Sequence, residues 1–136
     1  MNIYVGVGVL IFNHAGQLLL GKRIGSHGEK TWAPPGGNLK FMEDPIHCAI
    51  RETKEEVGIE IEDMKPGPWT NDIFKIENKH YISLFIVANY KSGNIQVLEP
   101  TKCENWEWFD CANLPHPLFL PLKNLLKSKC RLNDLN

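Results

Sequence analysis

The chain has 136 residues, of which 23% are charged and 43% hydrophobic, and its formal net charge is −1. A chain of this length can bury roughly 70% of its unfolded surface around one core, and its near-neutral charge gives no attraction to nucleic acid or an anionic membrane. No apolar run approaches the length of a membrane span, and the N-terminus has neither the charged nor the apolar region of a signal peptide, so a single cytoplasmic domain, residues 1–136, is expected.

In chain order, Ile3 to Phe12 alternates glycine with β-branched and aromatic residues, which predicts a strand with something packed closely on its backbone. Gly6 and Gly8 leave room there for a ligand. Asn13-His14-Ala15-Gly16 is turn chemistry, and Gln17 to Arg23 reads as the return strand of a hairpin. Lys22 and Arg23 stand before the glycine-bearing loop Gly25-Ser26-His27-Gly28. Such a pair is either solvated surface charge or a polyphosphate grip, since arginine offers phosphate oxygens a planar fork of donors. Trp32 and the turn Pro34-Pro35-Gly36-Gly37 follow.

Asp44-Pro45 is a helix start, because the Asp side chain can cap free N–H groups and proline loses nothing at the first helical position. Gly58 is the matching stop. Ile46, Ala49, Ile50, Thr53 and Val57 recur at helical spacing and should face a core, with Thr53 the one polar member. One residue round, Glu52, Glu55 and Glu56 form a second stripe in which like charges repel. That stripe is either a solvated acidic face or a site for a hard divalent cation with oxygen ligands.

Beyond the helix, Ile59 to Glu62 reads as a short strand. Ile73 to Glu77 and His80 to Tyr90 read as long antiparallel strands around Asn78-Lys79. Trp106 and Trp108 share one face of a strand, either as core or as a stacking surface for a base. Pro117 to Lys129 reads as a second helix with Leu118, Leu122, Leu125 and Leu126 inward. Cys48, Cys103, Cys111 and Cys130 lack C-x2-C spacing, so reduced thiols are expected, and no His-plus-carboxylate set is placed to activate Cys48. Strands mixed with two helices give an α+β class.

Gly37, Glu43, Arg51-Glu52, Glu55-Glu56, Gly58 and Ile59 fit G-x5-E-x7-R-E-U-x2-E-E-x-G-U, the signature of the Nudix hydrolases, with Thr53 where an apolar residue is usual. Outside this box, VGVGVLIF, LLLGKRIGSHG, KHYISLFIVANY and EPTKCENWEWFD resemble the nucleoside triphosphate diphosphatases of the MutT-homologue group, so the resemblance covers nearly the whole chain. It implies an α/β/α sandwich with a mixed sheet and Mg²⁺-dependent hydrolysis, Mn²⁺ substituting. The implied substrate is a nucleoside or deoxynucleoside triphosphate, oxidised or modified forms included, cut to a monophosphate and pyrophosphate.

The resemblance also implies roles. Glu52, Glu56 and the Gly36 carbonyl are expected to ligate metal directly, and Glu55 through water or as an aid to the attacking water. Glu43 is expected to orient the site by pairing with Arg51. A later carboxylate should join the metal, Glu104 first and Glu99 second. Lys22 and Arg23 should grip phosphates, and the base should lie near Gly6, Gly8, Phe119 and Leu122. The partner is a small-molecule nucleotide rather than nucleic acid or membrane, and a homodimer is implied. Lys40 and Met42 depart from the family pattern, which commonly has Glu and Gly there, and Pro121 replaces a small flexible residue near the base. Rival readings are a Nudix pyrophosphatase for ADP-ribose or a nucleotide sugar, and a non-catalytic nucleotide-sensing module.

Overall fold

The computed structural model describes residues 1–25 and 27–136. Its seven strands are β1 (Ile3–Phe12), β2 (Leu18–Arg23), β3 (Trp32–Ala33), β4 (Gly36–Asn38), β5 (Glu60–Phe74), β6 (Lys79–Ser92) and β7 (Cys103–Phe109). Two helices, α1 (Pro45–Glu56) and α2 (Leu120–Lys127), and a 3₁₀ turn (Leu132–Asp134) complete it. The strands form one mixed sheet in the order β3-β2-β1-β6-β5, with β4 also on β1 and β7 also on β2. No helix among the described residues is long and apolar enough to cross a membrane.

Strand alternation in β1 divides the interior in two. Val7, Val9 and Ile11 join Cys48 and Ala49 of α1 in one core. Leu10 and Phe12 join Leu122 and Leu125 of α2 in the other. The sheet is therefore covered on both faces, the α/β/α arrangement of the Nudix fold expected from the sequence. β1 runs parallel to β6 along its full length, from Ile3 against His80 to Phe12 against Asn89. On its opposite edge it pairs antiparallel with β4 near its start and with β2 at Phe12.

α1 forms where its caps dictate. The Asp44 carboxylate accepts from the Ile46 N–H at 2.8 Å, Pro45 opens the helix, and Gly58 follows with φ +78°. Thr53 is fully buried on the core side.

Several boundaries differ from the sequence reading. The short strand at Ile59 to Glu62 is the start of the 15-residue β5, which continues through Pro66 and Pro68. It is the sheet's edge and its pairing to β6 shifts register three times, which is how proline is accommodated in a strand. The strand expected to reach Glu77 stops at Phe74, before the turn around Asn78. Pro34 to Gly37 is more than a turn, because β3 and β4 flank its prolines. The second helix begins at Leu120, three residues later than expected, and ends at Lys127.

Candidate active site

A cavity of about 660 Å³ opens where β1, β4 and α1 meet. Its glycines are dictated by close approach. A methyl on Gly36 would run into the Val7 carbonyl oxygen of the adjoining strand, and one on Gly37 would stand 2.5 Å from the Glu52 carboxylate. Only glycine lets β4 sit flat on β1 with the acidic face of α1 over it.

The acidic stripe is three carboxylates in three settings. Glu56 turns inward and accepts from the Gly36 N–H at 3.2 Å. Burial, and then the hydrogen bond and charge of the neighbouring Glu52, push its carboxyl well above the usual carboxylate range. Glu52 also lines the cavity and accepts from Arg51 Nη1 at 2.7 Å. Glu55 is half exposed and meets the same nitrogen at 3.4 Å. Arg51 is anchored from the other side by Glu43, with Nε to Oε2 at 2.8 Å and Nη2 to Oε1 at 3.0 Å. This bidentate bond, with the Lys40 N–H at 3.0 Å, holds Glu43 down to about 2.

A carboxyl that ionises at a cost, set beside a second carboxylate and backbone oxygen, suits a hard divalent cation. Among the described residues, no three His, Cys, Asp or Glu side chains form a ready-made cage. An ion here would draw further oxygens from substrate and water, as Mg²⁺ commonly does.

Arg23 is a half-buried cation of the cavity. Its Nε donates to the His27 carbonyl at 3.0 Å, and its guanidinium lies 4.2 Å from the Phe119 ring centroid. Burial lowers its pKa, and Glu56 opposes the shift. Beyond it, the rings of Phe74, Tyr81 and Phe119 surround the His27 imidazole, with centroids 4.3, 5.9 and 5.6 Å away. Burial, then Arg23, lowers the His27 pKa from 6.5, so the ring is neutral at pH 7.

Of the residues singled out in the sequence, Gly6, Gly8, Arg23, Gly36, Glu52, Glu56 and Phe119 line this one cavity. Lys22 does not; it turns outward to Glu104 at 3.8 Å, and both side chains are substantially exposed. Of the two late carboxylates expected near the metal, Glu99 lines the cavity and Glu104 does not. Leu122 is fully buried in the α2 core, and its neighbour Pro121 faces the cavity instead. Trp106 and Trp108 pack on the α1 core, and Trp106 also reaches the cavity wall. Phe74, Tyr81, Ser83 and Lys102 also line the cavity without having been singled out. The polar Ser83 inside the apolar run from His80 to Tyr90 was the available signal for one of them.

The NUDIX domain family matches residues 3–128. An RNA pyrophosphohydrolase of Azorhizobium caulinodans is 31% identical over 140 residues, spanning 86% of this chain and 83% of its own. One from Hydrogenovibrio crunogenus is 28% identical, spanning 90% and 79% respectively. The crystal structure of a MutT NUDIX hydrolase from Burkholderia pseudomallei superposes with a TM-score of 0.84 at 27% identity, covering 99% of this chain and 98% of that one.

Proposed function

Since the chain belongs to the NUDIX domain family, hydrolases of phosphoanhydride bonds, we propose that it cuts a nucleoside triphosphate to a monophosphate and pyrophosphate. Deoxynucleoside and modified forms fall within this reading. The observation that carries it is the continuity of one cavity from the Glu52–Glu56 pair at β4, past the half-buried Arg23, to the rings of Phe74, Tyr81 and Phe119. That sequence of chemistry suits a polyphosphate joined to a planar base.

The family's divalent cation would be held by Glu52, Glu56 and the Gly36 carbonyl, with Mg²⁺ the ion proposed. Bound there, it would neutralise phosphate charge and lower the pKa of water. The remaining steps fall to side chains. Arg51, fixed in its rotamer by Glu43, holds the Glu52 carboxylate toward β4. Glu55, the most exposed of the three, is free to orient water or accept its proton. Arg23 neutralises phosphate charge with a guanidinium already desolvated and stacked on Phe119.

The names of the two RNA pyrophosphohydrolases support a second reading, in which the triphosphate is the 5′ end of an RNA. Free nucleotides and a 5′-triphosphorylated oligonucleotide, each assayed with Mg²⁺ for released pyrophosphate, separate the two. The panel also includes ADP-ribose and a nucleotide sugar, read by the nucleoside monophosphate released, since a diphosphate esterified at both ends yields no free pyrophosphate. Running the preferred substrate in ¹⁸O water tests the bond. Label only in orthophosphate, with a diphosphate as the other product, overturns α–β cleavage.

A further inference from the structure

The aromatic end of the cavity carries a polar group that the hydrolysis does not use. Ser83 stands in β6 in register with Gly6 of β1, and both line the cavity. Ser83 is buried, 6% exposed, and a Cβ on Gly6 would lie 3.8 Å from its Oγ and 3.4 Å from the Tyr81 ring, so the missing side chain leaves space beside the hydroxyl where it meets the cavity. Behind it is Asp72, fully buried. Its carboxylate accepts from Ser83 Oγ at 2.5 Å, Thr70 Oγ1 at 3.0 Å and Asn124 Nδ2 at 2.9 Å.

A serine hydroxyl has one proton and two lone pairs. The Ser83 proton is committed to Asp72 Oδ2 in a short O–H to carboxylate bond, Thr70 donates to the same oxygen, and Asn124 donates to Oδ1. The hydroxyl therefore offers the cavity lone pairs only. Pro121, on the same wall, has no N–H to add. Phe74, Tyr81 and Phe119 supply ring faces beside this acceptor.

We infer that Ser83 is a specificity-determining residue for the nucleobase, accepting a hydrogen bond from an exocyclic amino group on the edge of a purine, and that Asp72 is the positioning residue that fixes its polarity. The site selects bases that present a donor there and disfavours bases that present an acceptor or a bare C–H. This rests on the cavity being a nucleotide site, as proposed above.

The test is calorimetric binding of nucleoside monophosphates to the full chain without metal, in two pairs that differ only by an exocyclic amine. One is guanosine against inosine monophosphate; the other is adenosine against purine riboside monophosphate. In one pair the wild-type chain should bind the amine-bearing member about tenfold tighter, the effect of one hydrogen bond. Ser83→Ala should reduce that preference to within about twofold, and Ser83→Thr should keep it. Asp72→Asn should erode it too, because an amide can donate to Ser83 and release its proton toward the cavity.

Equal wild-type binding within both pairs overturns the inference without any variant, and so does a preference that survives Ser83→Ala. The corresponding triphosphates assayed with Mg²⁺ separate the two layers. Cleavage without discrimination within either pair sinks the inference and leaves the hydrolysis standing, whereas no binding and no cleavage of any nucleotide sinks both.

Discussion

The Gly37 α-carbon lies so close under the Glu52 carboxylate that an added methyl would come within 2.5 Å of it. The group it meets is the tip of a flexible side chain, which can swing away. At Gly36 the obstacle is the Val7 carbonyl, part of the β1–β4 pairing, which cannot. Neighbouring glycines should therefore fail differently. Gly37→Ala should keep its melting temperature within a few degrees while losing turnover and divalent-ion affinity. Gly36→Ala should lose stability by about 1–3 kcal/mol or more, the range of overpacked sites. Thermal denaturation beside a rate assay distinguishes them.

Glu56→Gln should separate folding from function in the opposite sense to a core mutation. Burial and Glu52 raise the Glu56 pKa in the fold above its ordinary 4.5, so between those values the native state holds a proton that the unfolded chain has released. Its contribution to stability is complete below about pH 4.5 and declines as pH rises. Glutamine keeps an oxygen for the Gly36 N–H and removes that decline, so the variant should gain on the wild type between pH 5 and 8 in urea titrations. Its rate with Mg²⁺ should fall by about 10²-fold or more, on the scale of a lost electrostatic group at a reacting centre. A near-normal rate would show that Glu56 is not a ligand.

Arg23→Ala should lower kcat/KM for triphosphates about 10- to 100-fold, the cost of losing a hydrogen bond to a charged group. Binding of a nucleoside monophosphate should change much less. Arg23→Lys keeps the charge but loses the fork and the stacking on Phe119, so it should recover only part of the rate. Equal losses on mono- and triphosphate would assign Arg23 to the base rather than to the phosphates.

The Glu43–Arg51 pair gives an acid-side signature. Arg51 holds the Glu43 carboxyl down to about 2, so its contribution is fully present above the unfolded value near 4.5 and is lost as pH falls toward 2. The difference in melting temperature between wild type and Glu43→Gln should be constant above pH 5 and shrink below it. A difference independent of pH would mean that the bond to Arg51 is not what stabilises that loop.

α1 was legible because its caps, its apolar stripe and the spacing of its glutamates are all local. The faces of strands were not. Lys22 and Arg23 are adjacent in β2, successive side chains point to opposite sides, and nothing in the two letters says which one turns inward. β5 was hidden by Pro66 and Pro68, since the absence of a neighbouring strand is a property of the whole sheet. Glu104 stands in β7 and Glu99 in the loop between Ser92 and Cys103, and no local rule carries the path by which that loop reaches the cavity. Leu122 fits the apolar stripe of α2, which is where it lies, and its assignment to the base came from resemblance alone.

The parallel pairing of β1 with β6 also governs when the site can exist. Every register pair from Ile3–His80 to Phe12–Asn89 is separated by 77 residues of chain. Local turns cannot bring such partners together, and the closure entropy of that loop must be met before any of its contacts forms. During synthesis, Gly6 and Gly8 therefore wait for Ser83 and Phe85 to emerge. Until then β1 presents Val7, Val9, Leu10, Ile11 and Phe12 without the partner strand along which most of its length is paired. A nascent chain that stops short of Asn89 lacks both this wall of the cavity and the strand's main shelter, which leaves β1 open to chaperones and to aggregation over that interval.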